Sequence, residues 1–162
     1  MSTAPFDVAV LPHEEVVLAG MRIATTMKTA SADCPALWQH FMARAPEIVD
    51  APEAGPLGAS YGISYMTNPT TGDFDYVAAM PLPHEKAMPA GMERLTLPAG
   101  LYARTAVPKL DRIGDAYTYM YTVWIAGQNG YALDMAAPCF ERYDERFLQS
   151  GEFEIYVPVV RK

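Results

Sequence analysis

The apolar positions of this chain follow two periods, one typical of helices and one typical of strands. In residues 33–45 and 110–126, apolar side chains recur three and four positions apart, which is the spacing of a single helix face. Elsewhere, β-branched and aromatic residues form short runs bounded by glycine and proline, which indicates strands. The predicted strands are residues 7–11, 16–25, 59–66, 74–80, 93–107 with a break at 98–100, 131–143 and 153–159.

The first helix is predicted to begin at Asp33. A carboxylate there is suited to accept hydrogen bonds from the free N–H groups of a first turn. Pro35 would fall in that turn, where its missing N–H costs nothing. The segments 45–58 and 83–91 are predicted to be connecting loops.

Two pairs of short segments recur about half a chain apart. Gly-Met-Arg-Ile-Ala-Thr begins at Gly20 and Gly-Leu-Tyr-Ala-Arg-Thr begins at Gly100, 80 positions later. Residues 71–77 and 150–156 repeat at an offset of 79. A predicted helix lies between the members in each half, so we expect one α+β domain over residues 1–162 with pseudo-symmetric strand-helix-hairpin halves, about 1–82 and 83–162. The expected assembly is an antiparallel sheet with both helices on one face.

Composition argues against several classes of protein. The chain carries 19 acidic and 12 basic residues, a formal charge of −7, and lacks the clustered cations that bind nucleic acid phosphates. No apolar stretch approaches the ~18 residues of a membrane helix. The amino terminus also lacks the basic start and apolar core of an export signal. We therefore predict a cytoplasmic protein that contacts neither membrane nor DNA directly.

Motifs for cofactors and metals are missing from the sequence. It contains neither the Gly-x-Gly-x-x-Gly pattern nor the P-loop pattern, the two glycine-rich motifs that bind phosphate groups. His13, His40 and His84 share no ligand spacing, and Cys34 and Cys139 lie outside any zinc motif. We predict no cofactor and no metal, and expect both cysteines to be buried thiols.

The sequence is rich in side chains suited to bind flat or cationic organic molecules. It contains ten tyrosines, two tryptophans and ten methionines. Aromatic faces attract such molecules, and methionine adapts to varied shapes. The candidates for ligand contact, where predicted helix faces meet the sheet, are Trp38, Tyr61, Tyr65, Tyr117, Tyr121 and Trp124. Alternatively, these aromatic residues pack in the core, because the same helical or strand spacing is typical of core positions.

Glu141 is the candidate polar group of such a site. Strand alternation puts Glu141 and Tyr143 on one face and their neighbours Phe140 and Arg142 on the other. If the first face lines an aromatic site, burial raises the pKa of the Glu141 carboxyl, which would then attract a cation or act as a general acid or base. The alternative is a solvated strand on which Glu141 pairs with an arginine: Arg104, Arg142 or Arg146.

The carboxyl-terminal sequence is similar to a known family. Residues 138–143, Pro-Cys-Phe-Glu-Arg-Tyr, and residues 151–159, Gly-Glu-Phe-Glu-Ile-Tyr-Val-Pro-Val, resemble the GyrI-like, or AraC-type, effector-binding domain. The duplicated plan and the turn and strand at 72–81 extend the resemblance over nearly the whole chain. It implies a ligand groove between the two helices and assigns the central pocket carboxylate to Glu141. The sequence has no helix-turn-helix segment, so we expect the effector module standing alone.

The resemblance suggests three functions. The expected one is binding of amphipathic, cationic or aromatic compounds by a sensing or sequestering protein, with Tyr143 and the aromatic candidates around Glu141. The second is hydrolysis of cyclopropane-bearing genotoxins, in which Glu141 orients or activates water and Tyr143 or another tyrosine of the groove donates a proton. The third is inhibition of DNA gyrase. Gyrase and a transcription regulator are therefore the candidate protein partners.

We predict that the protein does not bind duplex DNA appreciably at physiological salt. Binding requires Lys and Arg to replace the counterions of the phosphates, and residues 1–81 contain three basic and nine acidic residues. A filter-binding assay with labelled duplex measures this property. Sub-micromolar binding at physiological salt would contradict the prediction.

Overall fold

The strands form one antiparallel sheet. The computed structural model describes residues 5–48, 59–68, 70–82 and 87–162. Its strands are β1 (Val8–His13), β2 (Val16–Thr26), β3 (Ala59–Asn68), β4 (Asp73–Pro81), β5 (Glu93–Leu97), β6 (Gly100–Val107), β7 (Tyr131–Leu133), β8 (Cys139–Asp144) and β9 (Phe153–Arg161). Its α-helices are α1 (Ala30–Arg44), α2 (Ile113–Thr118) and α3 (Glu145–Ser150).

The order of the strands is symmetric about the middle of the sheet. The described strands follow the order β1-β6-β9-β8-β3-β4-β2-β5, and β7 pairs with the end of β9. On either side of the β8·β3 seam, equivalent strands of the two halves occupy equivalent places. The first strand of each half pairs with a strand of the other half: β1 pairs with β6, and β5 pairs with β2. The predicted antiparallel sheet of two pseudo-symmetric halves is confirmed.

The two long helical segments pack on one face of this sheet. α1 buries Leu37 and Phe41 in a cluster with residues of β2 and β4. The second segment buries Ala116 and Met120 in a cluster with residues of β6 and β9. Apolar burial of this kind is the main stabilising contribution to such a fold. The opposite face curls around a third cluster, where the His13 ring meets three aromatic rings edge-on, at 5.4–5.7 Å between centroids: Tyr102, Phe140 and Tyr156.

The predicted start of the first helix was wrong. α1 begins at Ala30, because the turn before it forms its own hydrogen bonds: the Thr29 N–H donates to the Thr26 hydroxyl oxygen over 3.2 Å. Asp33 instead accepts a hydrogen bond from the Thr25 hydroxyl at 2.8 Å. Pro35 therefore lies in the second turn of the helix rather than the first.

The second predicted helix and the long strand after it are both less regular than expected. Residues 110–127 wind first as a 3₁₀ turn, then as α2, then as a π turn over Tyr119–Trp124, and end in a 3₁₀ turn. The predicted strand 131–143 is divided into β7 and β8, because Asp134 accepts a turn hydrogen bond from the N–H of Ala136. Of the predicted loops, Ala45–Glu47 is a 3₁₀ turn, while 49–58 and 83–86 lie outside the described residues.

Truncating Phe41 should destabilise the fold severely. The side chain is fully buried beneath α1, so Phe41→Ala is expected to lower the free energy of unfolding by about 3–5 kcal/mol. Denaturant unfolding measures the change. The control is the adjacent Met42→Ala, at a position 38% exposed, which should change stability by less than about 0.5 kcal/mol. Equal effects of the two substitutions would mean that α1 is misplaced.

Candidate functional site

Glu141 is buried at the seam between the two halves. It lies in β8 directly opposite Gly62 of β3, on the face that carries the helices, and only 3% of it is exposed. Tyr143 shares this face, and Phe140 lies in the cluster on the opposite face. The predicted alternation along β8 is confirmed. A carboxylate placed here must find hydrogen-bond donors within the protein.

Three tyrosine hydroxyls supply those donors. The hydroxyls of Tyr76 and Tyr143 donate to Oε1 of Glu141 over 2.8 and 2.9 Å. The hydroxyl of Tyr117 donates to Oε2 over 2.7 Å. The tyrosines come from β4, β8 and α2, so distant parts of the chain meet at one carboxylate.

Trp38 joins the first helix to the same group of residues. Its indole Nε1–H donates to the hydroxyl oxygen of Tyr76 over 3.0 Å, and its ring lies edge-on to Tyr143 with centroids 5.6 Å apart. Tyr117 stacks on Tyr121 one turn further along its helix, at 6.3 Å. Both helices thus contribute aromatic rings beside Glu141. We call Glu141, Tyr76, Tyr117, Tyr143 and Trp38 the carboxylate cluster.

Two opposing effects act on the pKa of the Glu141 carboxyl. Burial raises the pKa of its carboxyl above the ordinary value, in the predicted direction, and the hydrogen bonds from the three tyrosines oppose that rise. Burial and the nearby Glu141 charge raise the pKa of all three tyrosines, which keeps them as donors.

No cation balances the charge of Glu141 within the described residues. The arginines considered as partners in the sequence pair with other carboxylates instead: Arg104, Arg142 and Arg146 all lie near Glu154, at 3.6, 3.8 and 3.3 Å. Glu154 is the cross-strand partner of Arg142 and therefore shares its face of the sheet, opposite Glu141. The carboxylate of Glu141 is satisfied by dipoles alone.

The structure brings only some of the predicted ligand contacts together. Trp38, Tyr117 and Tyr143 meet at Glu141, and Tyr121 adjoins them. Trp124 packs against the core of the second half.

Tyr61 and Tyr65 lie on the opposite face of the sheet. Tyr61 is the cross-strand partner of Arg142 and packs on Phe140, and Tyr65 lies beneath the guanidinium of Arg22. The odd-numbered residues of this part of β3 point away from Glu141, so these two tyrosines are not brought to the carboxylate cluster.

Sequence reasoning missed Tyr76 and Gly62. A Cβ atom on Gly62 would lie 2.0 Å from the Tyr76 hydroxyl oxygen and 2.6 Å from Oε1 of Glu141, so only glycine leaves room for their hydrogen bond. Tyr76 lies in β4, two strands away from the β8 strand that carries Glu141. Its side chain crosses β3 over Gly62 to reach the carboxylate. A signal existed in the bare glycine of Ser-Tyr-Gly-Ile-Ser, since glycine within a strand often marks a close approach.

Both cysteines are free thiols beside the carboxylate cluster, and they are partly rather than fully buried. Burial raises the pKa of Cys34 to about 12, and the Glu141 charge adds to that rise. Burial also raises the pKa of Cys139, against hydrogen bonds with Tyr121 and Tyr117. Thiols in this state are poor nucleophiles and poor metal ligands. In the described ranges, no three His, Cys, Asp or Glu side chains converge as a metal site would require.

Comparison with known proteins identifies the family. The sequence matches the Cass2 family, integron-associated effector binding protein, over residues 12–159. The chain therefore belongs to this family of effector-binding proteins, in agreement with its GyrI-like features. A search of curated proteins finds no match to the chain.

Solved structures share the fold at low sequence identity. An integron cassette protein from the mobile metagenome of Vibrio cholerae superposes with a TM-score of 0.69 at 15% identity, covering 96% of this chain and 97% of that one. SAV2435, solved with tetraphenylphosphonium bound, gives 0.68 at 18% identity and covers 95% and 94%. The C-terminal domain of EcmrR gives a TM-score of 0.70 at 16% identity and covers 98% of this chain and 100% of that one.

Each helix in the described ranges is too short or too polar to span a bilayer.

Introducing a methyl group at Gly62 should separate Tyr76 from Glu141. Gly62→Ala places its Cβ within van der Waals overlap of both groups, so we expect a loss of about 1–3 kcal/mol in the free energy of unfolding. Thermal and denaturant unfolding measure the loss. Gly100→Ala is the matched control, because it lies in a strand where a Cβ meets nothing within 4 Å. Equal stability of the two variants would contradict the packing described for Gly62.

Proposed function

We propose that the protein binds lipophilic aromatic cations at the carboxylate cluster, as a sensing or sequestering protein. The observation that carries this proposal is the buried carboxylate of Glu141, which accepts three tyrosine hydrogen bonds and has no cationic partner among the described residues. A buried negative charge of this kind attracts positive charge strongly, because the surroundings screen it poorly.

The hydrogen bonds at Glu141 indicate which kind of cation fits. Three donors already occupy most acceptor positions of its two oxygens. Among the described residues, the site lacks positive charge rather than further hydrogen-bond donors. A quaternary ammonium or phosphonium ion supplies charge without hydrogen bonds, whereas a primary amine would have to displace tyrosine hydroxyls to pair its own N–H groups.

The aromatic rings around Glu141 favour the same ligands. Trp38, Tyr117, Tyr121 and Tyr143 offer ring faces and edges to an aromatic cation that enters between α1 and the α2 segment. The related fold of SAV2435 was solved with tetraphenylphosphonium, an ion of this class. That ion is therefore the first probe to test on this chain.

Removing the charge of Glu141 should discriminate between probes of one shape and opposite charge. Tetraphenylphosphonium and tetraphenylborate are nearly identical in size. Glu141→Gln keeps the side-chain size, and should weaken the phosphonium by about 1.5–3 kcal/mol, roughly 10- to 150-fold, without weakening the borate. Calorimetric titration measures both affinities.

Wild-type affinity for the phosphonium should also fall as the pH is lowered through the raised pKa of Glu141, because the protonated carboxyl carries no charge. The Glu141→Gln variant should show no such fall.

Glu154→Gln is the matched control for this experiment. Glu154 is also a buried glutamate, 6% exposed, but it lies on the opposite face and is paired with arginines. Its substitution should lower stability and leave the phosphonium affinity unchanged. Equal loss of affinity in both variants, or equal binding of both probes to all proteins, would contradict the proposal.

Hydrolysis is a second candidate function at the same residues. The observation that favours it is the contact of the Tyr143 hydroxyl with a carboxyl whose pKa is raised, as a general acid and base pair would require. Incubation with cyclopropane-bearing electrophiles, followed by mass spectrometry, separates the two functions. Catalytic loss of substrate that falls by roughly 10²–10⁴ in Glu141→Gln would support the enzyme. A stoichiometric complex without product would support binding.

A further inference from the structure

One strand of the sheet is covered along only part of its length. On one side, β2 pairs with β4 from Leu18 to Thr26. On the other side it pairs with β5 only from Val16 to Gly20. Within the residues that the structure describes, residues 21–26 therefore form an open sheet edge. The counterpart strand β6 is covered by β1 over Gly100–Thr105, six of its eight residues.

The direction of the backbone groups along this edge follows from two hydrogen bonds. The N–H of Leu82 donates to the carbonyl of Val17, and the N–H of Met27 donates to the carbonyl of Gly72, both over 3.1 Å. Odd-numbered residues of β2 thus direct their backbone groups toward β4. Since alternate residues of an antiparallel strand face opposite neighbours, Arg22 and Ala24 direct their N–H and C=O groups out of the open edge.

A groove runs beside this edge, between β2 and α1. It has a volume of about 430 Å³, and its apolar lining comes from Met21 and Ile23 of the strand and Ala36 and Leu37 of the helix. Asp33 and His40 also line it. An extended chain paired with β2 would place every second side chain against this apolar lining.

The opposite face of the same edge is acidic. The guanidinium of Arg22 is shared by Glu93 and Asp75, at 2.7 and 3.1 Å, so two carboxylates surround one cation. The whole chain has a formal charge of −7. A second copy would bring a like charge to this edge, whereas a basic strand would complement it.

We propose that the open edge of β2 binds an extended segment of another protein by strand addition, with apolar side chains alternating with basic ones. The apolar side chains face Met21, Ile23 and Leu37, and the basic ones face Asp75 and Glu93. Backbone hydrogen bonds to Arg22 and Ala24 set the register.

The test uses a fluorescent peptide of about eight residues in which valine and lysine alternate. Fluorescence anisotropy should show saturable binding. A peptide in which glycine and lysine alternate carries the same charge and should bind at least tenfold more weakly. By NMR hydrogen exchange, the valine peptide should newly protect the amides of Arg22 and Ala24. The amides of Met21 and Ile23, which face β4, should be protected with and without it.

Two substitutions at one position provide a matched pair. Ala24→Pro removes the outward N–H at an edge where proline is tolerated, and should weaken the valine peptide at least tenfold. Ala24→Val keeps the N–H and should bind within about twofold of wild type. The exchange experiment on the wild-type protein stands even if the proline variant folds poorly.

Several results would overturn the proposal. Equal binding of the glycine and valine peptides would show attraction by charge alone. Protection of the Arg22 and Ala24 amides in the free monomer would mean that the chain itself covers the edge. A wild-type dimer in sedimentation that Ala24→Pro dissociates would make a second copy the occupant.

Discussion

The burial of one carboxylate that has no counter-ion among the described residues is the constraint on which the rest of this site depends. Glu141 is 3% exposed, and its two oxygens are satisfied by hydroxyls from β4, β8 and α2. Losing the donors would leave a desolvated charge, which costs several kcal/mol, on the order of the whole stability of a small domain. The seam between the halves therefore has to bring these tyrosines together, and Gly62 has to stay bare so that Tyr76 can reach across β3.

The sheet contains a second buried glutamate that is satisfied in the opposite way. Glu154 lies near three arginine side chains on the other face, where attraction between opposite charges offsets its desolvation. The charge of the Glu154 carboxylate is therefore already balanced within the protein. Glu141 is held by tyrosine dipoles and has no cation beside it among the described residues. The ligand-binding role proposed for Glu141 rests on this contrast between the two carboxylates.

The duplicated plan explains where the site lies. Two equivalent halves meet at the β8·β3 seam, and each contributes one helix to the same face, so rings from both halves surround the seam. The symmetry is broken at the cross-strand pair itself, where Glu141 faces Gly62. Because Gly62 has no side chain, the hydroxyl of Tyr76 has room to reach Glu141. Membership of an effector-binding family is consistent with a site built at such a seam.

Short-range patterns in the sequence determined most of the fold and part of the site. Alternation along β8 predicted that Glu141 and Tyr143 share a face, and helical spacing predicted the aromatic positions Trp38 and Tyr117, because these periods depend only on local backbone geometry. Tertiary structure alone decided the rest. Tyr61 and Tyr65 were expected near Glu141, yet the pairing of β3 with β8 directs them to the opposite face. Tyr76 reaches Glu141 from β4, two strands away, over Gly62. The register between distant strands decides which faces and side chains meet, and no local period contains that information.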